Sequence, residues 1–214
     1  MPLSNGGRKY VLWGLVAVGL FMSFSFLGYL HIEPISITFV YIPVLVAACI
    51  FGPKEGALLA AVFGLASMCK ASAFYVGIGD MVFSPAMSGK PAESIMLSVG
   101  TRALFGLLTG FLYRLAEKNK HPLAGIVLVT SVGRTLHAFL VYGYMGAVFP
   151  ETGFGVANTL DDTLRWDFIP FLLIVNAVVC FCYMFWKSDY AGRLRERVQA
   201  MDRVDAAVKH NKKG

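Results

Sequence analysis

The sequence predicts an all-α integral membrane protein: a six-helix bundle with short second and third helices and both termini cytoplasmic. Three observations predict it. Only 15% of the residues are charged and 57% are hydrophobic, with a mean hydropathy of +0.63, whereas a soluble domain carries about a quarter charged residues. The apolar residues fall in long blocks, with the charges between them or in the tail. The basic residues also gather at alternate connections, as the positive-inside rule requires.

A membrane span needs about 20 apolar residues to cross about 30 Å of hydrocarbon. Residues 11–30 carry no charge and follow Arg8 and Lys9. They are too long for a usual signal-peptide core and lack a small-x-small cleavage site before His31, so they read as a first permanent helix. Residues 36–51 and 57–68 are two shorter apolar stretches around Gly52-Pro53-Lys54-Glu55-Gly56. They suit two short helices or a re-entrant hairpin, and either returns the chain to the side it left. Residues 96–113, 123–148 and 168–186 supply the remaining three helices. The chain thus divides into a membrane domain, residues 1–188, and a cytoplasmic amphipathic and basic tail, residues 189–214. Tyr190, Leu194, Val198, Met201, Val204 and Val208 form a helical stripe along that tail.

With the N-terminus inside, the inner segments hold Arg8, Lys9, Lys54, Arg114, Lys118, Lys120, Lys187 and the basic tail. The outer loops hold only Lys70, Lys90 and Arg165. This pattern predicts a multi-pass protein of the cell membrane. The net charge of +6 sits mostly on the inner side and implies contact with anionic membrane lipids, with no nucleic acid as partner. Cys49, Cys69, Cys180 and Cys182 show no metal-ligand spacing, because Cys180 and Cys182 point to different faces of one helix. No metal or cofactor is expected, and no catalytic residue set emerges.

The polar chemistry is intramembrane. Arg102 stands about six residues, or ~9 Å, into the fourth helix, and Arg134 about 12 residues, or ~18 Å, from either end of the fifth. His137 lies one turn beyond Arg134 and Thr130 one turn before it, on one face. Asn176 lies halfway along the sixth helix. An arginine at such depth costs about 2.5 kcal/mol on insertion scales. No acid stands at comparable depth in the sequence. The arginine therefore bonds helix-end carbonyls, draws in a loop acid such as Asp80 or Asp161, meets water, or clamps the carboxylate or phosphate of a ligand. The long outer connections 69–90 and 150–165 read as lids over that site.

The run Ile35-Ser36-Ile37-Thr38-Phe39-Val40-Tyr41-Ile42-Pro43, then Phe51-Gly52-Pro53-Lys54-Glu55-Gly56, resembles the substrate-binding S components of energy-coupling factor (ECF) vitamin transporters. The likeness continues through Val82-Phe83-Ser84-Pro85 and Ser88-Gly89, and through the spacing of Arg102, Gly106 and Gly110, which look most like the pantothenate-type branch. It covers about residues 35–115, with a weaker echo in the first, fifth and sixth helices that includes Asn176-Ala177. The resemblance implies a subunit that captures a small anionic micronutrient from outside and works with a coupling membrane subunit and two ATPase subunits. It places Arg102 at what looks like the family's arginine position, and Gly19 and Ser23 are the nearest candidates for partner docking. Together with the intramembrane Arg134, His137, Asn176 and Thr130 and the family-like Phe83 and Ser84, Arg102 is expected to contact substrate. Two positions depart from the branch: Arg134 replaces a small polar residue and Cys180 replaces a glutamate, which favours a more anionic ligand. A sensory or partner-docking membrane protein, with the tail as output connector, is the competing expectation.

Overall fold

The structure of the protein, a computed structural model, describes residues 5–25, 29–32, 35–73, 78–163, 168–189, 191–193, 196 and 200. The order of elements is α1 (Asn5–Phe24), β1 (Tyr29–Ile32), β2 (Ile35–Thr38), α2 (Tyr41–Phe51), α3 (Pro53–Ala73), α4 (Ile78–Met81), α5 (Pro91–Ile95), α6 (Thr101–Glu117), α7 (Pro122–Val148), α8 (Val156–Thr163) and α9 (Phe168–Lys187). A π-helical turn, Met96–Gly100, joins α5 to α6 in one continuous rod. Among the described residues, four helices are long and apolar enough to cross a membrane: Pro53–Ala73, Pro91–Glu117, Pro122–Val148 and Ile169–Lys187. The helical character follows expectation. Every residue of the stripe expected in the tail, from Tyr190 to Val208, lies outside the described residues.

Three boundaries differ from the sequence reading. The first helix ends at Phe24, not near residue 30. Tyr29–Ile32 instead pairs antiparallel with Ile35–Thr38, Leu30 opposite Ile37. Isoleucine and threonine fit an extended, pleated backbone as readily as a span, and hydropathy alone does not separate the two. The expected short third helix is also corrected, since α3 runs 21 residues. Of the five residues Gly52 to Gly56, only Gly52 breaks the chain, at φ +105°, a conformation open chiefly to glycine. Pro53 then sits where a helix start tolerates it. At the far end Ser72 donates to the Met68 carbonyl at 2.9 Å, inside the helix. Finally, the fourth rod begins at Pro91, so Arg102 lies about 16 Å from its start rather than ~9 Å. The second helix is short, as expected, at 11 residues. It is apolar on all sides and nearly all buried, as a helix must be when other helices surround it.

The central seam lies between α3 and α6, the most extensive helix pair. Gly56, Ala60 and Gly64 stand at four-residue intervals on α3, and Arg102, Gly106 and Gly110 do so on α6. A Cβ on Gly56 would meet the Gly106 carbonyl oxygen at 2.7 Å. Such small-residue faces let helix backbones approach where lipid supplies no hydrophobic drive between helices. Around the seam, Val44, Leu45, Phe105, Tyr113, Ile126, Val175 and Val179 form one core.

Polar contacts tie the rods at both ends. At one end Arg8 pairs with Glu55, Arg114 Nη2 donates to the Phe51 carbonyl at 3.0 Å, and Lys187 lies 3.2 Å from Glu117. These are the ends that the charge pattern groups together. At the other end Lys90 Nζ donates to the Val148 carbonyl at 2.7 Å, lies 3.5 Å from Glu151 and sits over the Phe149 ring at 5.1 Å. Lys90→Met is expected to speed proteolysis within residues 82–90 several-fold while changing global stability by at most about 1 kcal/mol. A proteolysis time course beside a melting curve checks this.

Candidate functional site

The Arg102 side chain is buried, with the residue 6% exposed. The π turn just before it supplies the first contact: Arg102 Nη1 donates to the Ser98 carbonyl at 2.8 Å. Nη2 donates to Ser67 Oγ on α3 at 3.2 Å. The guanidinium lies over two rings, 4.9 Å from the centre of Phe63 and 5.1 Å from that of Phe83. Turns of π helix occur frequently at functional sites because they re-aim groups along a helix. Here the turn and the glycine seam together hold one cation between α3 and α6. The carbonyl it meets belongs to the interior of its own rod rather than to a helix end, and several partners align the planar fork. Asp80, one of the loop acids considered for it, is exposed at α4 and lies near Lys70.

His137 on α7 is next to this group. Its ring stacks at 6.4 Å on Phe63 and meets Phe105 edge-on at 5.1 Å. It is close enough to Arg102 and to Arg134 to feel both charges. Its Nε2 is buried, with no hydrogen-bond partner among the described residues. Arg134, one turn away on α7, holds its guanidinium 5.7 Å from the Phe171 ring of α9. Phe171 is flanked by Phe39 at 4.7 Å and Tyr41 at 5.9 Å. The corrected start of the rod matters here. Arg102 stands 11 residues from Pro91 and Arg134 stands 14 from Val148, so both lie well inside their helices.

The remaining expected residues divide. Phe83 joins the site through its ring, and its carbonyl accepts from Ser98 Oγ at 3.0 Å. Ser84 is turned away, its hydroxyl 2.9 Å from Ser72 on α3. Thr130 faces the α6–α7 seam, 2.9 Å from the Tyr113 hydroxyl, and donates to the Ile126 carbonyl at 2.8 Å. Its neighbour Ser131 is the one that meets Asn176, whose Nδ2 donates to Ser131 Oγ at 3.1 Å and to the Leu172 carbonyl at 2.9 Å. Ser23 is buried and donates to the Gly19 carbonyl at 2.8 Å, and both line a small apolar cleft with Pro43, Val44, Leu59 and Phe63.

Sequence reasoning missed Ser67, Phe63, Tyr41 and Phe171. Ser67 had a signal, since it continues the Gly56, Ala60, Gly64 face of α3 by one further step. The aromatic residues had none, being indistinguishable in the sequence from lipid-facing ones. The expected lids also take other forms. Cys69–Lys90 begins inside α3 and contains α4, while the second connection contains a 3-10 turn, Pro150–Thr152, and α8. That part folds back on α7, with Phe154 stacked at 5.9 Å on Tyr142.

No curated protein matches the chain. The family model described as ECF transporter, substrate-specific component, matches residues 14–185, from within α1 to near the end of α9. The fold, with its apolar rods and a polar site buried among them, agrees with that match. The chain belongs to the family of substrate-specific components of ECF transporters, which are multi-pass membrane transport subunits rather than enzymes and associate with ECF membrane and ATPase subunits.

Proposed function

We propose that the protein is the high-affinity substrate-binding subunit of an ECF-type micronutrient importer, taking a small anionic vitamin or precursor of the pantothenate kind. The observation that carries this reading is the gathering of Arg102, His137 and Arg134 inside the helices. Two guanidinium groups near one imidazole make a region of strong positive potential, and a carboxylate or phosphate complements it with charge-assisted hydrogen bonds. The helices α1, α2 and α3, the α5–α6 rod, α7 and α9 form the six-helix domain. The end bearing Arg8, Arg114 and Lys187 faces the cytoplasm with both termini, as the concentration of basic residues there requires. The tail, residues 189–214, then meets anionic lipid on the inner leaflet.

Transport tests the reading. Co-expressed with the ECF membrane and ATPase subunits, the protein is expected to form a stable complex that takes up pantothenate, with little competition from its neutral alcohol analogue. Equal competition by the neutral analogue, or no pantothenate uptake by an intact complex, contradicts the pantothenate-like assignment.

A further inference from the structure

Around Arg134 the bundle presents a second group of polar atoms, distinct from the partners of Arg102. Tyr41 on α2 is buried, 4% exposed, and its hydroxyl has no hydrogen-bond partner among the described residues. It lies beside Phe171, the ring over which the Arg134 guanidinium sits, and it is close enough to Arg134 to feel that charge. His137 Nε2 is also buried without a partner there, and His137 is close enough to both arginines to feel their charges. A buried phenol and imidazole ordinarily find partners, since leaving such a group unbonded costs roughly 1–3 kcal/mol. Both atoms can donate to an anion. The Phe63 ring packs against both His137 and the Arg102 guanidinium, so one aromatic ring adjoins both groups.

We infer that Arg134, Tyr41 and His137 form a second acid-binding subsite, so that the site prefers a small two-headed acid with an apolar spine to a monoacid such as pantothenate. One acidic group meets Arg102 and the other meets Arg134 and the Tyr41 hydroxyl. This rests on the reading of the region as the substrate site. It adds Tyr41 as a specificity-determining residue, and it explains why two intramembrane arginines stand near one histidine.

The test uses the full-length protein in detergent and isothermal titration with matched probes: glutarate and adipate, against valerate and hexanoate. The dicarboxylates are expected to bind at least about tenfold more tightly, as one further charge-assisted contact implies. Arg134→Met is expected to reduce the dicarboxylate's affinity about tenfold more than the monocarboxylate's, and Tyr41→Phe, which keeps the ring packing, to reduce the preference several-fold. Arg102→Met weakens both probes. Binding of the two classes with equal affinity overturns the inference and leaves the anion-site reading standing, and so does a preference that survives both Arg134→Met and Tyr41→Phe. Failure of every carboxylate to bind overturns both.

Discussion

Gly106→Val is expected to destroy the fold as a monodisperse species. The position has no space for a side chain: a Cβ there collides with the carbonyl of Gly56 and comes within 2.9 Å of the Ala60 Cβ. The collision is with backbone, which cannot rotate away. The reverse contact is also too close, at 2.7 Å, so the two helices cannot slide to relieve it without separating along α3 and α6. Overpacking a core costs about 1–3 kcal/mol for modest insertions and more where the surroundings cannot yield. Valine adds three carbons at the closest approach of the main helix pair. The loss also reaches the site, because the same seam carries Ser67 to Arg102. Gly106→Ala should show a milder version of the same defect. Size-exclusion profiles and melting curves in detergent check both variants, and an unshifted melting curve for Gly106→Val would refute the seam as described.

Arg102→Met should remove high-affinity binding of an anionic ligand while leaving a folded protein. Methionine keeps the unbranched, apolar stem between Phe63 and Phe83 and deletes the charge and the fork. Hydrogen bonds to charged groups contribute about 1.5–3 kcal/mol, so affinity should fall about 10- to 100-fold. Some stability should go as well, because the bridge from Ser98 to Ser67 is lost. Arg102→Lys separates the two effects. It restores charge but not the planar fork, so binding should recover only in part. Titration with the ligand and with a neutral analogue gives the readout, and an equal loss for both would make Arg102 a purely structural residue.

Much of this was legible in the sequence where a segment is long and uniformly apolar. The expected spans 123–148 and 168–186 fall within a residue of α7 and α9 at each end. The interior position of Arg102 and Arg134 was equally plain from their uncharged flanks. What was not legible depended on neighbours. Gly56 reads as a helix breaker until the facing Gly106 is known, and then it is the reason that α3 fits. Thr130 and Ser131 are alike by composition and spacing. Only the placement of Tyr113 on one side and Asn176 on the other decides that Ser131, not Thr130, meets α9. Face arguments along a helix of 27 residues say which side chains align, not which partner helix stands at each level. The depth of Arg102 was misjudged for a related reason. The sequence before Met96 is polar enough to read as loop, yet Pro91 starts a helix there, and Ser94 Oγ donates to the Val82 carbonyl at 2.6 Å.

The central claim is that the site gathered around Arg102, His137 and Arg134 exists to hold an acid. Mass spectrometry of small molecules released by denaturing the freshly purified protein tests it most directly. The account predicts a compound bearing at least one carboxylate or phosphate, present in wild-type protein and depleted in Arg102→Met. A neutral or cationic compound retained equally by both proteins would contradict it.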